Sequence, residues 1–364
     1  MFWIVSNMNP RMALLSSHFK HLRVGARAGL IVSLLLGVVF GVPRVHSQGV
    51  MEGFEKEIQG IFDRTKDCVV QIKTILPVTD VQKGDLVAEA LSIGTGFFVD
   101  HKGMIVTAAS VLRGSTSAVV YWRGKTYEAQ TVGQDPSTNL ALLKIDAETP
   151  CLPAGDPDSL KVGSMALAVG YPADAPISAE YGFVSNTDAA QTPKFFATTH
   201  IRSSVRAQPG QSGSPFLNSR GEVVGMVVYT MQDGSSTFAL PITAVEKIER
   251  DLVTYHEPRH GWTGLTIEVK NNSQFEGDSG IAIRDVYQGY PGHLAGINSG
   301  DVLLKIGEKP IHSAADVMNA TFYLSIGEKV NFTILRDGEE KVIPVGVVSR
   351  PTEKEMGALR PVAH

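Results

Sequence analysis

The sequence is poor in cysteine. Of 364 residues, only Cys68 and Cys151 carry thiols. That excludes a disulfide-stapled scaffold and a cysteine-built zinc site, and leaves open one bridge or two free thiols. The ten histidines are scattered with no metal-ligand spacing, so no metal and no other cofactor is expected. Acidic residues are absent from residues 1–47, which carry Arg11, Lys20, Arg23, Arg27 and Arg44. The rest of the chain holds the remaining 28 basic residues against all 37 acidic ones, a net of −9. So acidic a body argues against nucleic acid as a partner. Internal repeats and low-complexity tracts are also lacking.

Residues 28–42 form a stretch free of charge behind the basic residues. Val45-His46-Ser47 then offers small residues at the −3 and −1 positions of a cleavage site. This is the layout of a secretory signal. The stretch is short for a membrane span, which needs about 20 residues. The readings left open are a cleaved signal, an uncleaved anchor and a buried helix. The residues before Lys20 are many for a basic leader region, which makes Met12 a candidate start. The expectation is an exported protein of the periplasm or cell envelope, bound to membrane only if residues 1–47 stay attached.

At about 150 residues per domain, the length fits two domains. Residues 52–66 place apolar side chains at Phe54, Ile58, Ile61 and Phe62, the spacing of a short amphipathic helix. Past Cys68, short apolar strands follow one another between Gly- and Pro-rich turns, as in an all-β barrel or sandwich. Residues 242–255 return to helical spacing, and HEPRHG (256–261) reads as a linker. A smaller β-rich unit follows, with short helices near 292–297 and 314–323. The expected divisions are 1–47 leader, 48–66 helical segment, 67–255 first domain, 256–260 linker, 261–350 second domain and 351–364 flexible tail.

One motif carries chemistry. In QPGQSGSP (208–215), glycines flank Ser212. Such a turn aims a hydroxyl outward and points the Gly210 and Ser212 N–H groups at one spot, the geometry of a nucleophile beside an oxyanion hole. A turn of this composition between strands is also common without any chemistry.

The run QPGQSGSPFLNSRGEVVGMV resembles the serine loop of the HtrA (DegP-like) family of trypsin-like serine proteases. There the pattern is N-P-G-N-S-G-G-P-L followed by a hairpin. Three further stretches agree in order: GTGFFV with GMIVT (94–107), VGQDPSTNLALLKI (132–145) and STFALP (236–241). The resemblance spans 52–255 and implies a mainly β fold, a trypsin-like double β-barrel. Residues 261–349 resemble a PDZ domain of the same family. GWTGLT (261–266) is similar to its carboxylate-binding loop, and GDVLLKIG (300–307) to its G-D-x-I-x-x-I-x-G signature. That implies capture of a peptide C-terminus by Trp262, Thr263, Gly264 and Leu265, the peptide adding as a strand.

The departures fall on the catalytic positions. Ser110 stands where the family has its catalytic His, and Asn139 where it has its Asp; only the nucleophile position, Ser212, is kept. A Ser hydroxyl is a poor nucleophile without a base, and imidazole serves because it titrates near neutrality. In a trypsin-type triad the Asp-to-Asn change alone costs about 10⁴ in kcat. Gln211 and Ser214 also replace an Asn and a Gly. His101 and His200 are the histidines to weigh as substitute bases, and Asp135 matches a structural turn.

Two functions remain in view. One is an inactive protease homologue that binds unfolded or C-terminal segments of exported proteins, as chaperone, scaffold or regulator. The other is an active endopeptidase in protein quality control, using Ser212 with a non-standard base. The resemblance also implies a homo-trimer or co-assembly with active relatives, with Phe54 and Phe62 as candidate contacts.

Overall fold

In a computed structural model of the chain, residues 47–79, 86–113, 115, 117–189, 197–270 and 280–362 are described. The expected leader lies outside them, save Ser47. The chain divides into two compact units, residues 1–53 and residues 54–364. No described helix is long and apolar enough to cross a membrane.

Helix α1 (Ser47–Thr65) begins the described chain. Ile61 on its inner face is fully buried, and Phe62 packs against the same core. Phe54 meets Tyr181 edge-on, ring centroids 6.1 Å apart. Both aromatics of the helix are therefore engaged within the fold.

Twelve strands then form two closed barrels. The first runs β1 (Val69–Thr79), β2 (Leu86–Phe98), β3 (Met104–Ala108), β6 (Leu140–Lys144), β5 (Lys125–Asp135) and β4 (Ser117–Trp122) in spatial order. The second runs β10 (Pro215–Leu217), β11 (Val223–Thr230), β12 (Thr237–Pro241), β9 (His200–Ser203), β8 (Ser178–Ala189) and β7 (Met165–Gly170). Each barrel buries its own apolar set, around Phe98 and Leu143 in the first and Phe216 and Val227 in the second. A third cluster lies between them and takes in Leu140, Met226 and helix α3 (Ile242–Tyr255). Helix α3 falls where the spacing predicts it, because Ile242, Val245, Ile248 and Leu252 share one fully apolar face.

Strands β8 and β9 were not legible as strands. Along β8 the large apolar residues Tyr181 and Phe183 face outward, while Gly182 and Val184 face the core. Gly182 has no room for a side chain, since a Cβ would lie 2.5 Å from the Val205 nitrogen. The pattern is thus reversed from apolar-in, polar-out.

Past the barrels, within residues 54–364, lies a sheet in the order β14 (Leu265–Val269), β15 (Ile281–Val286), β16 (Val302–Ile306), β18 (Lys329–Arg336) and β19 (Glu339–Gly346), with β17 (Lys309–Pro310) paired to β16. Helices α4 (Pro291–Leu294) and α5 (Ala314–Phe322) belong to it. A short pair, β13 (Gly261–Trp262) with β20 (Val348–Ser349), closes its ends. The residues after Pro351, expected to form a flexible tail, are tied down as far as Val362. They form helix α6 (Glu353–Met356) and pair Pro361 with Tyr287, the Val362 N–H donating to the Val286 carbonyl at 2.8 Å. The polar composition hid these backbone bonds.

Candidate active site and peptide groove

Ser110 is the second residue of helix α2 (Ala109–Leu112), which follows β3 directly, and it is exposed. Asn139 sits in the turn before β6 with a left-handed backbone, φ 56°, a conformation Asn tolerates better than most residues. Its side chain works in both directions. Asn139 Oδ1 accepts from the Ser110 N–H at 2.8 Å, and Nδ2 donates to the Val228 carbonyl at 2.9 Å. Its own carbonyl accepts from the Ala109 N–H at 3.0 Å. Asn139 thereby stitches the first barrel to β11 of the second.

Ser212 lies on the turn before β10, half-buried. Gly210 and Gly213 on either side have φ of 94° and 88°. A Cβ at Gly210 would fall 2.3 Å from the Ala173 nitrogen, and one at Gly213 would fall 2.1 Å from the Thr95 carbonyl. Only glycine fits either place. Gln211, fully buried, holds the loop by accepting from the Gln208 N–H at 2.8 Å and donating to Ser178 at 3.3 Å. Thr95, absent from the sequence-based site, holds the other side. Its N–H donates to the Ser212 carbonyl at 3.0 Å and its hydroxyl to the Gly210 carbonyl at 2.8 Å. Both carbonyls thus turn toward the first barrel. Among the described residues, neither the Gly210 nor the Ser212 N–H has an acceptor. The signal for Thr95 was its place between Gly94 and Gly96. Ser214 is fully buried, and its hydroxyl has no hydrogen-bond partner among the described residues.

Beside Ser212 opens a cavity of about 450 Å³, lined by Gly210, Val227, Val228, Tyr229 and Met231 among others, with Arg206 also on its wall.

Among the described residues, no imidazole bonds to the Ser212 hydroxyl. His101 is held by the Thr149 carbonyl and Cys151. His200 is fully buried in the second barrel, its Nδ1 against the Thr198 carbonyl at 2.9 Å; burial pushes it down to about 4. Neither approaches the role of substitute base. Asp135 is buried in its turn and accepts from Ser137, Thr138 and His260. Burial would raise its carboxyl, but the hydrogen bond and charge of His260, with Ser137 and Thr138, outweigh this and hold it below its ordinary value.

At the C-terminal sheet, Trp262 packs against Tyr290 and Tyr287, centroids 4.7 and 5.4 Å apart. Thr263, buried, accepts through its carbonyl from the Gly292 N–H at 2.7 Å. Gly264 has φ 78°, and a Cβ there would lie 2.2 Å from that of Tyr290. Leu265 begins β14, opposite Val286. The loop is a braced turn leading into a strand. Among the described residues, no cluster of His, Cys, Asp and Glu could hold a metal ion.

Two β-barrels with a serine turn in the cleft between them, followed by a small sheet with a glycine-bearing loop, define a trypsin-like fold joined to a PDZ-like module. Residues 94–226 match the trypsin-like peptidase domain model and residues 263–347 the PDZ domain model. A probable periplasmic serine endoprotease, DegP-like, of Pseudomonas putida is 31% identical over 76% of this chain and 60% of its own length. Its counterpart in a Marinomonas species is 32% identical over 73% and 59%. The chain thus spans about 60% of the length of these curated relatives. Among solved structures, the HtrA-type protease AlgW with a tripeptide superposes with TM-score 0.69, at 24% identity, over 82% of this chain and 98% of that one. The serine endoprotease from Yersinia pestis superposes with TM-score 0.58, at 23% identity, over 81% and 98%. The chain is an HtrA-family homologue, a DegP-like trypsin-type peptidase domain followed by a PDZ domain.

Proposed function

We propose that the protein is an exported, catalytically inactive HtrA homologue that binds unfolded or C-terminal peptide segments of other exported proteins. The observation that carries this reading is the wiring of Asn139. Its amide gives one hydrogen bond and accepts another, to Val228 and from Ser110, where a catalytic carboxylate only accepts. With Ser110 in place of an imidazole, no described residue is bonded to the Ser212 hydroxyl to take its proton, which supports this reading. The Ser212 turn itself supports the second reading, an active endopeptidase with an unusual base. Its glycines leave the Gly210 and Ser212 N–H groups free to donate, as an oxyanion hole requires. Without a base, such a hole sustains only about 10³–10⁴-fold catalysis over water.

The test is a fluorophosphonate probe and unfolded casein, with Ser212→Ala as control. The expected result is no labelling and no cleavage above the Ser212→Ala background. Labelling or cleavage lost in Ser212→Ala overturns the inactive reading. Peptide binding supports the other half: the relatives' solved forms include one with a tripeptide, and the braced loop at Trp262, Thr263, Gly264 and Leu265 leads into a strand edge. On a peptide array, free C-termini are expected to bind at least about tenfold more tightly than their amides, since a carboxylate accepts stronger hydrogen bonds. Equal binding removes carboxylate capture. Periplasmic residence, as named for the relatives, belongs to the same proposal, as does assembly with further HtrA chains.

A further inference from the structure

Away from Ser212, a nucleophile and a base are paired. Cys151 lies on the connection between the barrels, partly exposed, its sulfur 3.4 Å from His101 Nε2. The other ring nitrogen, Nδ1, faces the Thr149 carbonyl at 2.9 Å. A carbonyl only accepts, so Nδ1 carries the proton and Nε2 presents its lone pair to the thiol. The Thr149 hydroxyl in turn bonds the Asp100 carbonyl at 2.9 Å, and the Thr149 N–H bonds the His101 carbonyl at 3.2 Å, fixing the ring's support. Nucleophile, base and orienting acceptor thus stand in line.

The second thiol is close by. Val69, next to Cys68, pairs with Phe97, and the Leu152 N–H, next to Cys151, reaches the Phe98 carbonyl at 3.4 Å. Cys68 is buried; burial first, then the charge of a Cys151 thiolate, push it up to about 11. The two cysteines are therefore unlike: one wet and beside an imidazole, the other dry and protonated.

We propose that Cys151 is a thiol-modification site, which exchanges with small-molecule disulfides using His101 as base. Cys151 passes its proton to His101 Nε2 as the sulfur attacks one sulfur of the incoming disulfide. The old S–S bond breaks, a new one joins Cys151 to half of the reagent, and the departing thiolate takes the proton from the imidazolium. One disulfide replaces another, with no net oxidation. Most of the surrounding charges are already engaged. Asp100 accepts from the Lys102 and Met104 N–H groups, and Lys144 turns to the Lys102 and Ile145 carbonyls. The Glu249 carboxyl is held above its ordinary value, first by burial and then by the charges of Asp100 and Glu246, and beside Cys68 the Asp67 carboxylate is paired with Arg123.

The experiment incubates the full chain with oxidised glutathione at pH 7 and follows adducts by intact mass and peptide mapping. One glutathione per chain is expected, on Cys151. It is lost in Cys151→Ser and kept in Cys68→Ser. His101→Gln is expected to react at least about tenfold more slowly at pH 7, and to match the unaltered chain near pH 11, where an exposed thiol ionises unaided. No adduct, an adduct on Cys68, a Cys68–Cys151 bridge, an unchanged rate in His101→Gln, or a rate that stays slow near pH 11 each overturns the proposal.

Discussion

Asn139 shows how much one amide decides. Replacing it by Asp removes the donor to the Val228 carbonyl and sets a carboxylate against that oxygen, while the Ser110 N–H keeps its acceptor. The Asn139→Asp variant is expected to lose about 1–3 kcal/mol of stability, read from urea unfolding, and to gain no reactivity toward a fluorophosphonate. A variant as stable as the parent means that Val228 has another donor available. The sequence pointed to Ser110, Asn139 and Ser212 because the serine loop and the two flanking stretches are contiguous motifs with fixed spacing. It did not show why Asn suits position 139, since the partner carbonyl lies 89 residues away. Thr95 escaped for the same reason: its bonds to the loop span 115 residues.

Among the elements, the second barrel carries a pH dependence of its own. His200 on β9 is fully buried, and burial lowers it to about 4. Unfolded, an imidazole titrates near 6.5. Its neutral form is therefore favoured by folding, and the associated stability is present above pH 6.5 and lost as pH falls toward 4. Between pH 7 and pH 5 the loss from this residue is about 2 kcal/mol. Chemical denaturation at the two pH values checks it, and His200→Gln is expected to flatten the difference. Asp135 acts in a separate window. Its lowered carboxyl contributes above the ordinary carboxylate range, near pH 4, and is lost only as pH falls further. Helix α3 was legible from its apolar spacing and β11 from its unbroken apolar run. Strand β8 was not, because its aromatics point outward and its core positions include a glycine.

For residues 54–364 as a whole, the peptidase and PDZ regions share buried surface. Phe322, at the end of α5, is 4% exposed and belongs to the cluster that holds Leu252 and Leu140. The Lys247 ammonium lies 5.2 Å over its ring and the His260 ring 5.9 Å away, while the Tyr323 hydroxyl bonds Thr243 at 3.0 Å. Composition marked 256–260 as a linker, but gave no hint that an aromatic pair on a distant helix anchors across it. Phe322→Ala is expected to cost about 3–5 kcal/mol and to quicken protease nicking at residues 256–261. If the nicking rate is unchanged, the two regions are held by the other contacts.

Both barrels are closed, β4 pairing with β1 and β7 with β10, although the β1–β2 hairpin runs past the closure, β2 meeting β3 only from Gly96 to Phe98. In the PDZ sheet, the outer strand β19 is guarded by Glu339, Glu340, Lys341 and Pro344, residues that discourage further pairing. The opposite outer strand, β14, reads Leu265-Thr266-Ile267-Glu268-Val269 and has one charge. A protein that meets unfolded chains risks templating their aggregation. Of the two outer strands of this sheet, β14 alone lacks such guards, so under the proposed function a client strand would extend the sheet along that one five-residue rim.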